Sequence, residues 1–366
     1  MTSKERVHQA LERQSTDRVP IFMWYHPQTT QRLGKLLEIP AKYVPLAMGD
    51  DIRQAWVSNN HAMEGIVHER DGESHLDDWA IEWTRIDGFN QISKYPLTDA
   101  DERQVLQYRV PFDRIEPLVN LMEPVMTFKD DYFVGCDVSP CVFEMYWRLR
   151  AMEKTLLEIA SNPDLTQEML RRSTEFSVAL SEEACQRFSL DWLWLGDDAA
   201  GQRSMLMSPD LWRRMVKLFL KQNAQVAKRH ALYVAFHSCG AIRPIIGDLI
   251  KIGVDVLNPI QCNCPGMIPL ELKKEFGKDL AFMGGVDTQG ILPNGTAHQV
   301  RKATAELLEG MATDGGGYVL AASHTIPPET PDDNIFAMYD ETGITKEEIF
   351  DRAAHIRKSL LPSECG

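Results

Sequence analysis

The sequence predicts an α/β protein built as a (β/α)8 TIM barrel with an N-terminal helix and a β-hairpin excursion. Three observations carry this. Short apolar runs that read as strands alternate with helical stretches from residue 132 to residue 320, a pattern that implies parallel pairing. With two earlier runs, near residues 19–24 and 51–57, eight strands can be counted, the number that closes a barrel. The chain, at 366 residues, is long for one average domain, but α/β barrels run long as single domains. The span 1–366 therefore reads as one barrel domain with a hairpin inserted at about 73–98. A doubly wound open sheet is the alternative, because periodicity does not report closure.

The elements follow in order. Residues 3–14 read as a helix with Val7, Ala10 and Leu11 on one face. Asp17-Arg18-Val19-Pro20 ends it and leads into a strand, Val19 to Trp24; a second covers Asp51 to Val57. Alternation at Trp79–Trp83 and Gln91–Tyr95 around Asp87-Gly88 is a hairpin signal. Tyr132–Cys136 is the third barrel strand, followed by helices over 143–160 and 164–188, the latter opened by Asn162 with Pro163 behind it. Asp191–Leu195, Leu232–Phe236, Val254–Leu257, Leu280–Met283 and Gly317–Leu320 are the remaining strands. Helices over 209–230, 244–252, 270–276 and 297–311 separate them.

Composition excludes several classes. Fifty-three acidic against 39 basic side chains give a net charge of −14, and no basic stripe offers general affinity for nucleic acid. No run approaches the roughly 20 apolar residues of a membrane helix. The polar start, Met1 to Arg6, lacks a signal peptide's apolar core. Seven scattered cysteines read as reduced thiols. The expected compartment is the cytoplasm.

A barrel's active site lies at the C-terminal ends of its strands. There the sequence places Trp24, Tyr25 and His26; Asp137; Asp197 and Asp198; His237 and Cys239; Asn258 and Gln261; Asp287 and Gln289; and His324. His237-Ser238-Cys239 is the sharpest feature. Spaced i and i+2 after a strand, an imidazole and a thiolate can face one zinc ion, although a buried cysteine beside a hydrogen-bonded histidine is an ordinary core arrangement. His324 is the downstream strand-end histidine that can supply a third ligand; Cys262 and Cys264 are rivals. Asp198 and Glu144 are candidate proton-transfer groups, one of the two adjacent aspartates being free to cap a helix. Trp24, Tyr25, Asp197, Asn258, Gln261, Asp287 and Gln289 are candidate substrate contacts. Trp192 and Trp194 either pack in the core or wall an aromatic pocket. Gly284-Gly285 and Gly315-Gly316-Gly317 match neither phosphate-loop nor dinucleotide spacing.

Several motifs together carry a resemblance: Asp17-Arg18-Val19-Pro20, Phe143-Glu144, Gly196-Asp197-Asp198, His237-Ser238-Cys239-Gly240, Asn258-Pro259-Ile260-Gln261, Gly284 to Gln289, and Gly315 through Asn334. With them the chain resembles the uroporphyrinogen decarboxylase superfamily, and within it the corrinoid-dependent methyltransferase-like branch, over nearly its whole length. The arginine-rich segment with which true uroporphyrinogen decarboxylases grip tetrapyrrole carboxylates is absent: no arginine follows Pro20 before Arg32. Decarboxylation of uroporphyrinogen is therefore not expected. The zinc methyltransferases of the branch pair a His-x-Cys with a later cysteine near an Ile-Pro-Pro context. Here that context is Ala321-Ala322-Ser323-His324-Thr325-Ile326-Pro327-Pro328, with His324 in the cysteine's place. One thiolate and two neutral imidazoles leave Zn2+ with a net charge of +1, a stronger Lewis acid than a two-thiolate site.

The resemblance thus implies a zinc-dependent methyltransferase. It would pass a methyl group from a small methylated substrate, such as a methyl ether, to Co(I) of a separate corrinoid (cobalamin) protein. Zinc would sit on His237, Cys239 and His324. A homodimer is left open, as are two alternatives: a decarboxylase of a carboxylate substrate, and a non-catalytic corrinoid- or ligand-binding barrel.

Overall fold

The computed structural model describes residues 1–58, 68–313 and 316–360; Gly315 of the glycine run lies outside them. Ten strands are described: β1 (Ile52–Trp56), β2 (Ser74–Leu76), β3 (Glu82–Ile86), β4 (Phe89–Lys94), β5 (Phe133–Asp137), β6 (Trp192–Gly196), β7 (Tyr233–His237), β8 (Val256–Ile260), β9 (Ala281–Gly284) and β10 (Tyr318–Val319). Seven form one sheet in the order β1-β5-β6-β7-β8-β9-β10. The registers described for β5–β6, β6–β7, β7–β8 and β9–β10 are all parallel. Strand order follows chain order with no reversal. That is the order of a (β/α)8 barrel and not of a doubly wound sheet, whose order reverses at a switch point.

The chain divides into two compact units, Met1–Arg53 with Asp130–Phe133 and Pro259–Gly366, and Gln54–Lys129 with Val134–Asn258. In the first unit the expected strand Val19–Trp24 forms isolated bridges only. Ile21 pairs parallel with Leu320 and Tyr25 with Ile326, while the Asp51 amide donates to the Ile21 carbonyl. Pro20 supplies no amide to a ladder. This stretch lies between β10 and the start of β1, where an eighth barrel stave belongs. Asp51, wholly buried, accepts from Arg6, Arg18, Ser3 and the Ile21 amide. Arg6 also grips Asp17 at 2.6 Å, which pulls the Asp17 carboxyl down to about 2. The Asp17-Arg18-Val19-Pro20 motif is thus an ion-paired anchor for the first stave.

The second unit holds β5 to β7 with their helices Phe143–Arg150, Met152–Ser161, Pro163–Arg187, Pro209–Met215 and Lys217–Arg229. Asn162 caps the 25-residue helix as its spacing predicts, accepting from the Leu165 amide. The helix expected over 143–160 breaks at Ala151, whose φ is 68°.

The excursion at 73–98 is a three-stranded antiparallel sheet, β2-β3-β4, in place of the simple hairpin expected. Asp87 and Gly88, both at positive φ, form the two-residue turn between β3 and β4. The alternation at Trp79–Trp83 overstates the strand, which begins only at Glu82. Asp77 Oδ1 accepts the amides of Trp79 and Ile81, both at 2.9 Å, and this local turn replaces the ladder. No described helix is long and apolar enough to cross a membrane.

Candidate functional site

β6 and β7 end side by side in register, Gly196 opposite His237. The close approach needs glycine at 196: a Cβ there would lie 2.5 Å from Ser139 Cβ. His237 follows the apolar run of β7 and Cys239 comes two residues later, so both side chains leave the strand end on one side. His237 Nε2 and Cys239 Sγ are 3.5 Å apart. The other ring nitrogen, Nδ1, lies 2.7 Å from Asn258 Oδ1 on the adjoining β8. An amide oxygen only accepts, so Nδ1 carries a proton, and in the neutral ring Nε2 presents its lone pair toward the sulfur. Asn258 is 3 % exposed. Its side chain, one of the candidate substrate contacts, is the hydrogen-bond partner of the His237 ring. Trp194 stacks on the imidazole with ring centroids 6.2 Å apart, whereas Trp192 is held by Gln54 Oε1 at 2.8 Å. Both tryptophans are fully buried.

The two aspartates diverge, as consecutive residues must. Asp197 is wholly buried and caps the helix Phe143–Arg150, its Oδ1 accepting from the Glu144 amide at 2.8 Å and the Val142 amide at 3.3 Å. Its Oδ2 is buried with no hydrogen-bond partner among the described residues. Burial pushes its carboxyl up to about 7, against the pull of these amides. That geometry is a helix cap more than a substrate contact. Asp198 points to the metal-candidate pair: its Oδ1 accepts the Cys239 amide at 2.8 Å and lies 3.9 Å from His237 Nε2. Burial first, then the charge of Glu144, raise its carboxyl above the usual range; His237 and the Cys239 amide oppose them. Glu144 Oε2 accepts the Asp198 amide at 3.2 Å, and Arg148 holds Oε1 at 2.6 Å. The two candidate proton-transfer carboxylates are therefore neighbours. Arg148 escaped the sequence reading, although its i+4 spacing from Glu144 on one helix is a legible pairing signal.

In the first unit, His324 is partly exposed and meets Trp24 edge-on, centroids 6.5 Å apart. The Tyr25–Ile326 bridge sets that register. The Tyr25 hydroxyl lies 2.5 Å from that of Tyr339, which donates to the buried Asp50 Oδ1 at 2.5 Å. Asp50, missed in the sequence, is pushed up to about 7 by burial. Asp287 is engaged locally, accepting from Asn263, the Gln289 amide and the Ile291 amide, and Gln289 is exposed. Gln261 Oε1 accepts from Cys264 at 3.6 Å. Burial pushes the Cys262 thiol up to about 11, which disfavours the thiolate a metal needs.

A family model of uroporphyrinogen decarboxylase (URO-D) matches residues 133–343, more than half of the chain. The methylated-thiol--coenzyme M methyltransferase of Methanosarcina mazei is 26% identical over 171 residues, 46% of this chain and 43% of that protein. The chain thus spans less than half the length of that curated relative. A solved structure, a methyltransferase from Methanosarcina mazei, superposes with a TM-score of 0.70 at 19% identity and covers 94% of this chain and 98% of that one, a likeness of fold. The motifs from Phe143-Glu144 to Asn334 fall within the matched span, and on that extent of agreement the chain belongs to the uroporphyrinogen decarboxylase family.

Proposed function

We propose that this protein is a zinc-dependent methyltransferase. It takes a methyl group from a small methylated substrate, a methyl ether being the favoured class, and delivers it to Co(I) of a separate corrinoid protein in the cytoplasm. The observation that carries the reading is the His237–Cys239 pair, with the imidazole tautomer set by Asn258 so that a nitrogen lone pair and a sulfur converge. A histidine oriented by a carbonyl oxygen on its far nitrogen is the usual environment of a metal ligand. His324 joins His237 and Cys239 as the third ligand by its place in the Ser323-His324-Thr325-Ile326-Pro327-Pro328 motif. The donor set, two nitrogens and a sulfur, suits zinc and leaves a position open for substrate. Similarity to methyltransferases supports the reaction class.

Zinc held there would supply Lewis acidity toward the heteroatom that the methyl group leaves. The chain's own groups do the rest. Asn258 holds the His237 ring. Asp198, whose carboxyl burial raises above the usual range, would give a proton to the departing heteroatom, with Glu144 behind it. Trp24, beside His324, offers an apolar ring for the methyl donor.

Two measurements test this. Untagged protein should carry about one Zn2+ per chain and methylate a Co(I) corrinoid carrier when given a methyl ether. Cys239→Ala should lose both while staying folded. Metal-free protein that does not take up added zinc would overturn the site.

A further inference from the structure

Arg148 is 8 % exposed, and a buried guanidinium is costly unless its charge is met. Its Nη2 donates to Glu144 Oε1 at 2.6 Å. Its guanidinium carbon also lies 5.4 Å from the Trp83 ring centroid and 5.9 Å from that of Trp147, within cation–π range. Trp83 belongs to β3 of the inserted sheet, is 3 % exposed, and donates its indole N–H to Asp77 Oδ2 at 2.8 Å. Asp77 is in turn fixed by the amides of Trp79 and Ile81. On the far side, Glu144 Oε2 accepts the Asp198 amide at 3.2 Å, and Asp198 Oδ1 accepts the Cys239 amide at 2.8 Å. An unbroken line of contacts runs from the insertion to the residue bearing the sulfur.

We propose that Arg148, braced by Trp83 of the insertion, is a positioning residue that sets the Glu144 and Asp198 carboxylates against the His237–Cys239 pair. The three-stranded insertion is then a working part of the site. Without Arg148, Glu144 has no partner for Oε1 on its own helix and is free to swing, which releases the Asp198 amide. Asp198 then no longer holds the Cys239 amide, and the sulfur loses its fixed direction. Lysine at 148 keeps the charge but neither the fork nor the flat face that stacks on indole.

The test uses the full chain and two readouts: hydrogen–deuterium exchange at residues 196–199 and 237–240, and zinc affinity by chelator competition. Only the second readout rests on the zinc reading above. Arg148→Met should speed exchange at both segments about tenfold and weaken zinc binding about tenfold, the scale of outer-shell substitutions. Arg148→Lys should recover part of each, and Trp83→Leu should fall between. Because Arg148 acts through Glu144, adding Arg148→Met to Glu144→Leu, which has no acceptor for it, should cost nothing further. The proposal is overturned by wild-type exchange at both segments in Arg148→Met, by full additivity with Glu144→Leu, or by exchange rising equally throughout the chain. Should Arg148→Met not fold, Trp83→Leu decides, with unchanged exchange at both segments as the refuting result. Wild-type protein that binds no zinc would sink the metal reading and leave the exchange result to stand or fall by itself.

Discussion

Replacing Asn258 by leucine removes the acceptor while keeping a branched side chain, somewhat larger than the native one. In the native site the buried Asn258 Oδ1 accepts from His237 Nδ1 at 2.7 Å. Leucine offers no acceptor, so the imidazole either leaves a buried N–H unsatisfied or moves its proton to Nε2, which cancels the lone pair aimed at Cys239. Outer-shell partners of metal-bound histidine are each worth about 10- to 100-fold in metal affinity or activity, about 1.4 to 2.7 kcal/mol. The short contact and the burial of Asn258 favour the upper half of that range. Asn258→Asp keeps an acceptor on the same ring nitrogen and should hold zinc at least as well as the native protein. Chelator competition measures both variants, with circular dichroism to verify the fold. Native zinc affinity in Asn258→Leu would refute the tautomer assignment. Equal losses in both variants would show that packing, and not the hydrogen bond, is what matters at this position.

Other outcomes follow from the same geometry. His324→Cys should retain zinc, since thiolate is a good ligand, but slow methyl transfer to Co(I) because the site's net charge falls from +1 to zero. His324→Ala should lose both; full zinc and full rate in both variants would make His324 a bystander. The protein should not convert uroporphyrinogen to coproporphyrinogen, which chromatography of the porphyrin products checks, because no arginine lies between Pro20 and Arg32. Asp50 holds its proton in the fold up to about pH 7 and releases it near pH 4 when unfolded. Its contribution to stability therefore falls as pH rises from about 4 to 7 and levels off above that, by up to a few kcal/mol. Urea midpoints from pH 4 to 7.5 should show that fall in the native protein and a flatter course in Asp50→Asn; parallel courses would refute it.

The barrel was legible because its strands are buried on both faces and read as apolar runs; β6, Trp192–Gly196, is buried at every position. His237 and Cys239 were legible because a strand end and an i, i+2 spacing restrict where two side chains can point. Family motifs extended the reading to His324. The N-terminal stave was overestimated, since Pro20 and a few isolated bridges do not make a ladder. The inserted sheet was underestimated, because β2 is three residues long and carries no periodicity to detect.

By itself the sequence determined the alternation of strand and helix and the residue types that gather at the strand ends, since both are set by local periodicity and chain order. Tertiary structure alone decided what each polar side chain does there. Asp197 and Asp198 are chemically identical neighbours; one caps a helix and the other faces Cys239, because β6 delivers consecutive residues to opposite sides. Asn258 meets His237 only because β7 and β8 lie in register. Tyr25 stands next to Trp24 in sequence, yet its hydroxyl joins Tyr339, 314 residues away. Such partners come from elements far apart in the chain. Their meeting depends on how those elements pack, which local periodicity does not encode.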